Sequence, residues 1–206
     1  CIINDIADRN YDKYVERTKD RPIASGKISI NKSLIYVFLL CGLAFMVLIN
    51  FNYFTILLAL ASMPLAFTYP LMKRFTYWPQ LFLGITFNYG LVLGWTAINN
   101  EINLAPIMLY IGAIFWTLGY DTIYGFQDIK DDEIIGVKST SIKFKKNPKI
   151  FIFISYLILS ISLVMVGIIM NFSKIYFLSL LIPFFQLYYY QLYKFEKNNS
   201  EKCLNI

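Results

Sequence analysis

The chain has 206 residues, of which 57% are hydrophobic and 16% are charged, and its mean hydropathy is +0.53. Soluble domains are about 45–50% apolar and about 25% charged, so this composition excludes an ordinary soluble domain and predicts an integral membrane protein. The chain contains no histidine, which excludes catalysis by imidazole and metal sites built from imidazole. Cys1, Cys41 and Cys203 are too scattered to predict a disulfide framework or a zinc site, and we interpret them as small apolar residues in packed helices.

Six apolar runs have about the length that a helix needs to cross a bilayer, which is roughly 20 residues. They are Leu34–Ile49, Phe54–Tyr69, Gln80–Ile98, Leu104–Gly125, Ile150–Met170 and Ile175–Tyr193. Residues from Cys1 to about Tyr14 are predicted to form the last turns of a further helix. The sequence therefore predicts an all-α, polytopic bundle of transmembrane helices.

The basic residues show how these helices are oriented. Of the 19 lysines and arginines, 18 fall in alternate connections between the predicted spans, and the single exception is Lys174. The positive-inside rule predicts that this side is cytoplasmic. The net charge of +6 is thereby explained by membrane topology, and no nucleic-acid partner is expected.

The first of two acidic clusters lies in the stretch NDIADRNYDKYVERTKDRP, Asn4 to Pro22. Asn4, Asp8 and Asp12 are spaced i, i+4, i+8, and together with Asp5 they fall within an arc of roughly 100° on a helix. The spacing predicts a stripe of acidic side chains that runs out of the membrane.

The second cluster is DTIYGFQDIKDD, Asp121 to Asp132. Asp121, Asp128 and Asp132 are spaced i, i+7, i+11, which predicts one narrow face of a single helix. Asp121 lies near or inside an apolar run, where an ionisable residue is a functional candidate because its burial is costly.

Carboxylates that share a helix face repel one another, so either a cation lies between them or they are solvated helix ends. Oxygen ligands without histidine suit a hard cation, and the residues alone leave Mg²⁺, Mn²⁺ and Ca²⁺ open. Mg²⁺ commonly completes its coordination with substrate phosphates. Six basic residues could neutralise the remaining phosphate charge: Arg9, Lys13, Arg17, Arg21, Lys73 and Lys138.

Three segments in order resemble the UbiA-type intramembrane prenyltransferases. NDIADRNYD, followed by VERTKDRPIASG, is similar to that family's N-D-x-x-D-x-x-x-D motif and its continuation, and DTIYGFQDIKDDEIIGVKST is similar to the second acidic motif. Between them, FTYPLMKRF resembles the family's Y-x-x-x-K segment through Tyr69 and Lys73. The resemblance covers essentially the whole chain.

The resemblance implies a fold and a domain organisation. Members of this family form a ring of nine transmembrane helices around a central cavity. We expect residues 1–206 to be a single transmembrane prenyltransferase domain with about seven of those nine helices, beginning inside the second helix and ending before the last one.

The resemblance also implies an activity, namely transfer of a polyprenyl group from its diphosphate to the ring of 4-hydroxybenzoate in ubiquinone biosynthesis. The implied catalytic residues are Asp8, Asp121 and Asp128, with Asp121 either as the base that removes the ring proton or as the group that polarises the phenol. The implied Mg²⁺ ligands are Asn4, Asp8, Asp12, Asp128 and Asp132, and the implied diphosphate contacts are Arg21, Tyr69 and Lys73. The expected surroundings are the lipid bilayer of a bacterial inner membrane, with the site on its cytoplasmic side.

Several alternatives stay open. The acceptor could be that of a naphthoate-type or chlorophyll-type member, the chain could be a catalytically inactive fragment, or the carboxylates could line a cation channel or transporter. Phe82, Phe87, Tyr89 and Trp95 could form an apolar wall for the prenyl tail, or they could simply face lipid or neighbouring helices.

Overall fold

A computed structural model describes residues 2–197 and Cys203. Within these ranges every regular element is helical. The helices are α1 (Ile2–Asp12), α2 (Ile30–Leu48), α3 (Tyr53–Thr68), α4 (Met72–Phe75), α5 (Pro79–Phe87), α6 (Tyr89–Asn99), α7 (Leu104–Gly125), α8 (Ile129–Ile135), α9 (Thr140–Lys143), α10 (Pro148–Ile169), α11 (Lys174–Ser179) and α12 (Leu181–Phe185). A 3₁₀ turn, Tyr69–Leu71, joins α3 to α4, and a π-helical segment, Gln186–Tyr193, follows α12. The predictions for Cys1 and for the tail from residue 198 onward, except Cys203, lie outside the described residues.

Among the described residues, six helical stretches are long and apolar enough to cross a membrane, which confirms the predicted number of spans. They are Ile30–Leu48, Tyr53–Phe75, Pro79–Asn99, Leu104–Gly125, Pro148–Ile169 and Lys174–Tyr193. The chain is an integral membrane protein. Much of α2 and α3 exposes large apolar side chains on the surface, as expected where the surrounding medium is lipid and not water. Cys41 is among the exposed residues, so the expectation that it packs inside the bundle is wrong, whereas Cys203 is buried.

Polar residues at the turns fix where the spans begin and end. The Ser29 side chain accepts a hydrogen bond from the Lys32 backbone N–H and caps α2, and Asn52 caps α3 in the same way through Thr55. Asn52 also donates to the Thr96 carbonyl at 2.8 Å, which ties the start of α3 to α6. At the end of α6, Asn100 adopts the left-handed conformation (φ 54°) that commonly terminates a helix.

The tightest helix packing in the bundle is between α7 and α10. A Cβ atom on Gly112 would lie 2.8 Å from the Cβ of Ser162, and one on Gly119 would overlap the Tyr156 ring. Glycine at these two positions therefore lets the helix axes approach closely, as is common in membrane bundles. Tyr156 is fully buried, and its hydroxyl donates to Gln191 at 2.5 Å. This packing fixes the position of α7, which carries Asp121.

The prediction of one continuous helix from Asp121 to Asp132 is wrong. α7 ends at Gly125, a turn follows, and Asp128 lies at the start of the separate short helix α8. Helix α8 ends at Gly136 in the left-handed conformation (φ 79°), which glycine adopts without steric cost. The break redirects the chain at the end of the bundle, so the carboxylates reach a common cavity through a bend and not along one straight face.

Candidate active site

A cavity of about 260 Å³ lies at the end of the bundle that carries most of the basic residues, hereafter the charged end. Its walls come from α1, the loop after it, the turn after α3, the start of α5, and the α7–α8 connection. All nine site residues predicted from the sequence line this one cavity: Asn4, Asp8, Asp12, Arg21, Tyr69, Lys73, Asp121, Asp128 and Asp132. The two acidic clusters, more than 100 residues apart in the chain, therefore meet on the same side of the membrane.

Asp8 is held by the segment that follows α3. One carboxylate oxygen, Oδ2, lies 2.8 Å from Lys73 Nζ, and the residue is only 4% exposed. The other oxygen, Oδ1, is buried and has no hydrogen-bond partner among the described residues. Buried carboxylate oxygens are usually satisfied, so this unpaired acceptor is available to a ligand.

Arg21 holds the first acidic stripe together. Its Nη1 donates to Asp5 Oδ1 at 3.1 Å and to Asp12 Oδ2 at 3.2 Å, so one guanidinium group links two carboxylates. The loop that carries Arg21 is itself fixed to α1, since Thr18 Oγ1 donates to the Asp12 carbonyl at 3.1 Å. This arrangement places a fixed cation at the rim of the cavity.

Arg17 pairs with the second acidic cluster. Its Nε and Nη2 donate to the Asp128 carboxylate at distances of 2.6–3.2 Å, and its Nη1 donates to the Tyr124 hydroxyl at 3.1 Å. Hydrogen bonding to Asp128 raises the pKa of Arg17 above its ordinary value. Sequence reasoning counted Arg17 among the basic residues nearby but assigned it no partner, because nothing in the spacing links residue 17 to residue 128.

Asp121 and Asp132 form no ion pair with described residues, although both line the cavity. Asp132 is partly withdrawn from water and lies near the Asp128 charge, and these two effects raise its pKa to about 6. Asp121 is half-buried at the cavity wall, whereas Asp8 and Asp12 are buried. Its side chain faces the cavity instead of the packed interior.

A buried network of polar groups, which sequence reasoning missed, supports the cavity wall. Gln80 accepts a hydrogen bond from the Thr140 backbone N–H at 3.0 Å, and the Thr140 hydroxyl lies 2.7 Å from that of Thr122. Ser141 donates to the Thr122 carbonyl at 2.7 Å. These bonds join α5, α7 and α9 directly behind Asp121. The available signal was a glutamine at the start of an apolar span.

Several residues that the sequence analysis associated with the site do not line the cavity. Phe82, Phe87, Tyr89 and Trp95 are absent from its lining, and Phe87 is 69% exposed. Of the six basic residues expected to supply phosphate charge, Arg17, Arg21, Lys73 and Lys138 line the cavity, whereas Arg9 and Lys13 do not.

The donors around the cavity fit a hard divalent cation. They are carboxylate and amide oxygens, with the Asp8 Oδ1 atom unpaired. Within the described part of the chain, no three acidic, histidine or cysteine side chains converge closely enough to hold one ion by themselves. Mg²⁺ does not require such a cage, since it usually takes one or two carboxylates and completes its coordination with water and phosphate.

Relatives with established names match the chain well. A 4-hydroxybenzoate polyprenyltransferase, mitochondrial, of Rattus norvegicus is 51% identical over 150 residues, which is 72% of this chain and 40% of the relative. The enzyme of the same name from Dictyostelium discoideum is 41% identical over 99% of this chain and 44% of its own length. A 4-hydroxybenzoate octaprenyltransferase of Pseudomonas fluorescens is 46% identical over 74% of this chain and 51% of the relative. The chain thus spans about half the length of these relatives, or less.

Solved structures show the same fold. The apo structure of a UbiA homolog from Aeropyrum pernix K1 superimposes with a TM-score of 0.82 at 23% identity, covering 92% of this chain and 72% of that one. A structure of digeranylgeranylglyceryl phosphate synthase gives a TM-score of 0.69 at 20% identity over 99% of this chain and 72% of its own. The family description "UbiA prenyltransferase family" matches residues 1–205. The chain therefore belongs to the UbiA prenyltransferase family.

Proposed function

We propose that this chain carries the site that transfers a polyprenyl group from its diphosphate to the ring of 4-hydroxybenzoate, as a step of ubiquinone biosynthesis. The observation that supports this most is the meeting of both acidic motifs with Arg21, Tyr69 and Lys73 in one cavity. The names of the most similar relatives support the choice of acceptor.

The diphosphate lies, in this proposal, between the two acidic motifs. Lys73, Arg21 and the Tyr69 hydroxyl donate hydrogen bonds to its oxygens, and the charged donors favour the negative charge that grows as the C–O bond breaks. The ligands of Mg²⁺ are Asn4, Asp8, Asp12, Asp128 and Asp132. When bound, the ion neutralises diphosphate oxygens and so makes the diphosphate a better leaving group.

The carbon–carbon bond forms in the part of the cavity nearest the membrane interior. The C–O bond of the prenyl diphosphate breaks with its electron pair leaving on oxygen, and the ring carbon ortho to the phenol forms the new bond to the allylic carbon. Asp121 accepts the proton that this ring carbon then loses. The helices around Asp121 exclude water, which would otherwise capture the allylic cation.

The proposed location is the bacterial inner membrane, with the charged end of the bundle on the cytoplasmic side. The distribution of the basic residues supports this orientation. The mitochondrial names of several relatives make a mitochondrial membrane the competing location. Fractionation of the source cells, with antibody to a loop at the charged end, distinguishes the two.

The test of the function is an assay of membranes that contain the chain, supplied with polyprenyl diphosphate and 4-hydroxybenzoate with and without Mg²⁺. Prenylated acid should form only with the metal, and Asp8→Asn or Asp128→Asn should each abolish it. Lys130→Asn is the matched control, because Lys130 is exposed and does not line the cavity. Product that persists in both aspartate variants, or ion flux in place of product, would refute the proposal.

A further inference from the structure

Helix α1 carries opposite charges toward two different cavities. Asp8 and Asp12 line the candidate active site, whereas Arg9 lies one residue further along α1, about 100° around the helix, and Lys13 directly follows the end of α1. Arg9 and Lys13 line a second cavity, of about 480 Å³. The basic residues that the active site does not use therefore converge on a separate space.

This second cavity has an uncompensated positive charge. The remainder of its lining is uncharged, and comprises Ile23, Ala24, Ser25, Gly26, Ile28, Ser29, Ile30 and Asn31. Across residues 2–197, neither Arg9 nor Lys13 has an ion-pair or hydrogen-bond partner. Elsewhere at the charged end, Arg17, Arg21 and Lys73 are each paired with a carboxylate. Arg9 and Lys13 therefore give this otherwise uncharged cavity a net positive charge that favours an anion.

Backbone donors add to this charge. Helix α2 has 19 residues, and its first N–H groups have no partner within the helix. Ser29 satisfies one of them, since its hydroxyl accepts from Lys32 N–H, and its carbonyl accepts the first helical bond from Ser33 N–H. The N–H groups of Ile30 and Asn31 are left without a partner in the described residues, and both residues line the second cavity. The positive end of the helix dipole thus coincides with the two side-chain cations.

The position of the cavity identifies the anion. Ile30 is the first residue of the first helical stretch that is long and apolar enough to cross a membrane, so the cavity lies at the depth of the phospholipid head groups. Isoleucine side chains form part of its wall, and such apolar contacts favour a lipid over a water-soluble metabolite. Basic pockets beside transmembrane helices on the positively charged side bind phosphates of anionic lipids. We infer that this second cavity binds the phosphate of an anionic phospholipid from the leaflet at the charged end, and that Arg9 and Lys13 are its ligands.

The experiment measures lipid retained by the purified full chain after equilibration with mixed vesicles of equimolar phosphatidylglycerol and phosphatidylcholine. The wild-type chain should retain phosphatidylglycerol in preference to phosphatidylcholine. Arg9→Gln combined with Lys13→Gln should reduce that preference at least severalfold, and Arg9→Lys should keep most of it. Lys130→Gln combined with Lys146→Gln removes the same charge from the same end of the bundle at exposed positions outside this cavity, and it should retain the wild-type preference.

Two further measurements identify the source of the phosphate and control for misfolding of the double variant. Radioactive inorganic phosphate should neither bind measurably to the delipidated wild-type chain nor displace the retained lipid. Lys13→Gln alone changes an exposed side chain without described contacts, so it should fold normally and still show a partial loss of preference. Wild-type preference in the Arg9 and Lys13 double variant, equal loss in the control pair, or displacement of the lipid by inorganic phosphate would each overturn the inference.

Discussion

Arg17 and Asp128 are joined by a two-pronged ion pair whose shortest distance, between Nη2 and Oδ2, is 2.6 Å. The pair connects the loop after α1 with the start of α8, and so joins the two acidic motifs across the cavity. The Asp128 carboxylate is thus engaged by the Arg17 guanidinium. A ligand of Asp128 must compete with a guanidinium group.

The first prediction follows from this competition. Arg17→Gln should strengthen the binding of Mn²⁺ alone, used here as a paramagnetic substitute for Mg²⁺, by about tenfold. A charge-assisted hydrogen bond contributes about 1.5–3 kcal/mol, and solvent screening at this partly exposed pair brings the net value toward the 1.4 kcal/mol that corresponds to tenfold. Electron paramagnetic resonance of the free ion measures this affinity directly.

The same Mn²⁺ affinity is then measured in the presence of pyrophosphate. In the wild-type chain, pyrophosphate should increase Mn²⁺ affinity, because its oxygens offer Arg17 another anion. The increase should be smaller in Arg17→Gln. Lys19→Gln is the control, since Lys19 lies on the same loop and pairs with the exposed Glu16 outside the cavity. An unchanged or weaker Mn²⁺ affinity in Arg17→Gln would show that Arg17 does not compete for Asp128.

The second prediction concerns pH. The pKa of Asp132 is raised to about 6, first by its removal from water and next by the Asp128 charge. A metal ligand must be deprotonated, so Mn²⁺ affinity should be nearly constant above pH 7 and should fall below pH 6 by up to about tenfold per pH unit. In Asp132→Asn the affinity should be lower throughout and should depend less on pH, with the remaining dependence due to Asp8, whose pKa burial also raises. A wild-type profile that is flat down to pH 5 contradicts the assignment of Asp132 as a ligand.

Helical spacing in the sequence predicts only part of the site. Asp8 and Asp12 could be placed together from spacing alone, since helical periodicity fixes which residues share a face. Periodicity failed for Asp121 and Asp128, because α7 ends at Gly125, where the predicted span also ends, and the chain bends before Asp128. Their common cavity was nevertheless predicted correctly, since the positive-inside pattern put both clusters at the same end.

Pairings between distant segments could not be predicted. The Arg17–Asp128 and Gln80–Thr140 contacts depend on how the helices pack, and hydropathy indicates only that a helix spans the membrane. How closely a glycine packs depends on helix packing in the same way. Gly84 does pack tightly, since a Cβ atom there would lie 3.0 Å from the Ile114 carbonyl oxygen, whereas Gly90 and Gly94 in the same span face open space.

The third prediction tests the packing of α7 on α10. Gly119→Ala should destabilise the chain by about 1–3 kcal/mol, because the added methyl group overlaps the Tyr156 ring in a rigid, buried position. For a domain of this size that corresponds to a fall in Tm of roughly 2–4 °C per kcal/mol, measured by thermal unfolding in detergent. Gly94→Ala, in an open helical position, should leave Tm unchanged or raise it slightly. Equal effects of the two substitutions would contradict the close contact between α7 and α10.

The fourth prediction tests the polar network behind the cavity. Gln80→Met keeps the length of the side chain but removes the oxygen that accepts from the buried Thr140 N–H, and an unsatisfied buried donor costs about 1–3 kcal/mol. We therefore expect a lower Tm together with weaker Mn²⁺ binding, because α9 and the wall of the cavity lose a fixed contact. Gln186→Met replaces an exposed glutamine and should change neither quantity. A Gln80→Met chain with reduced Tm but unchanged Mn²⁺ affinity would show that this network stabilises the bundle without positioning the carboxylates.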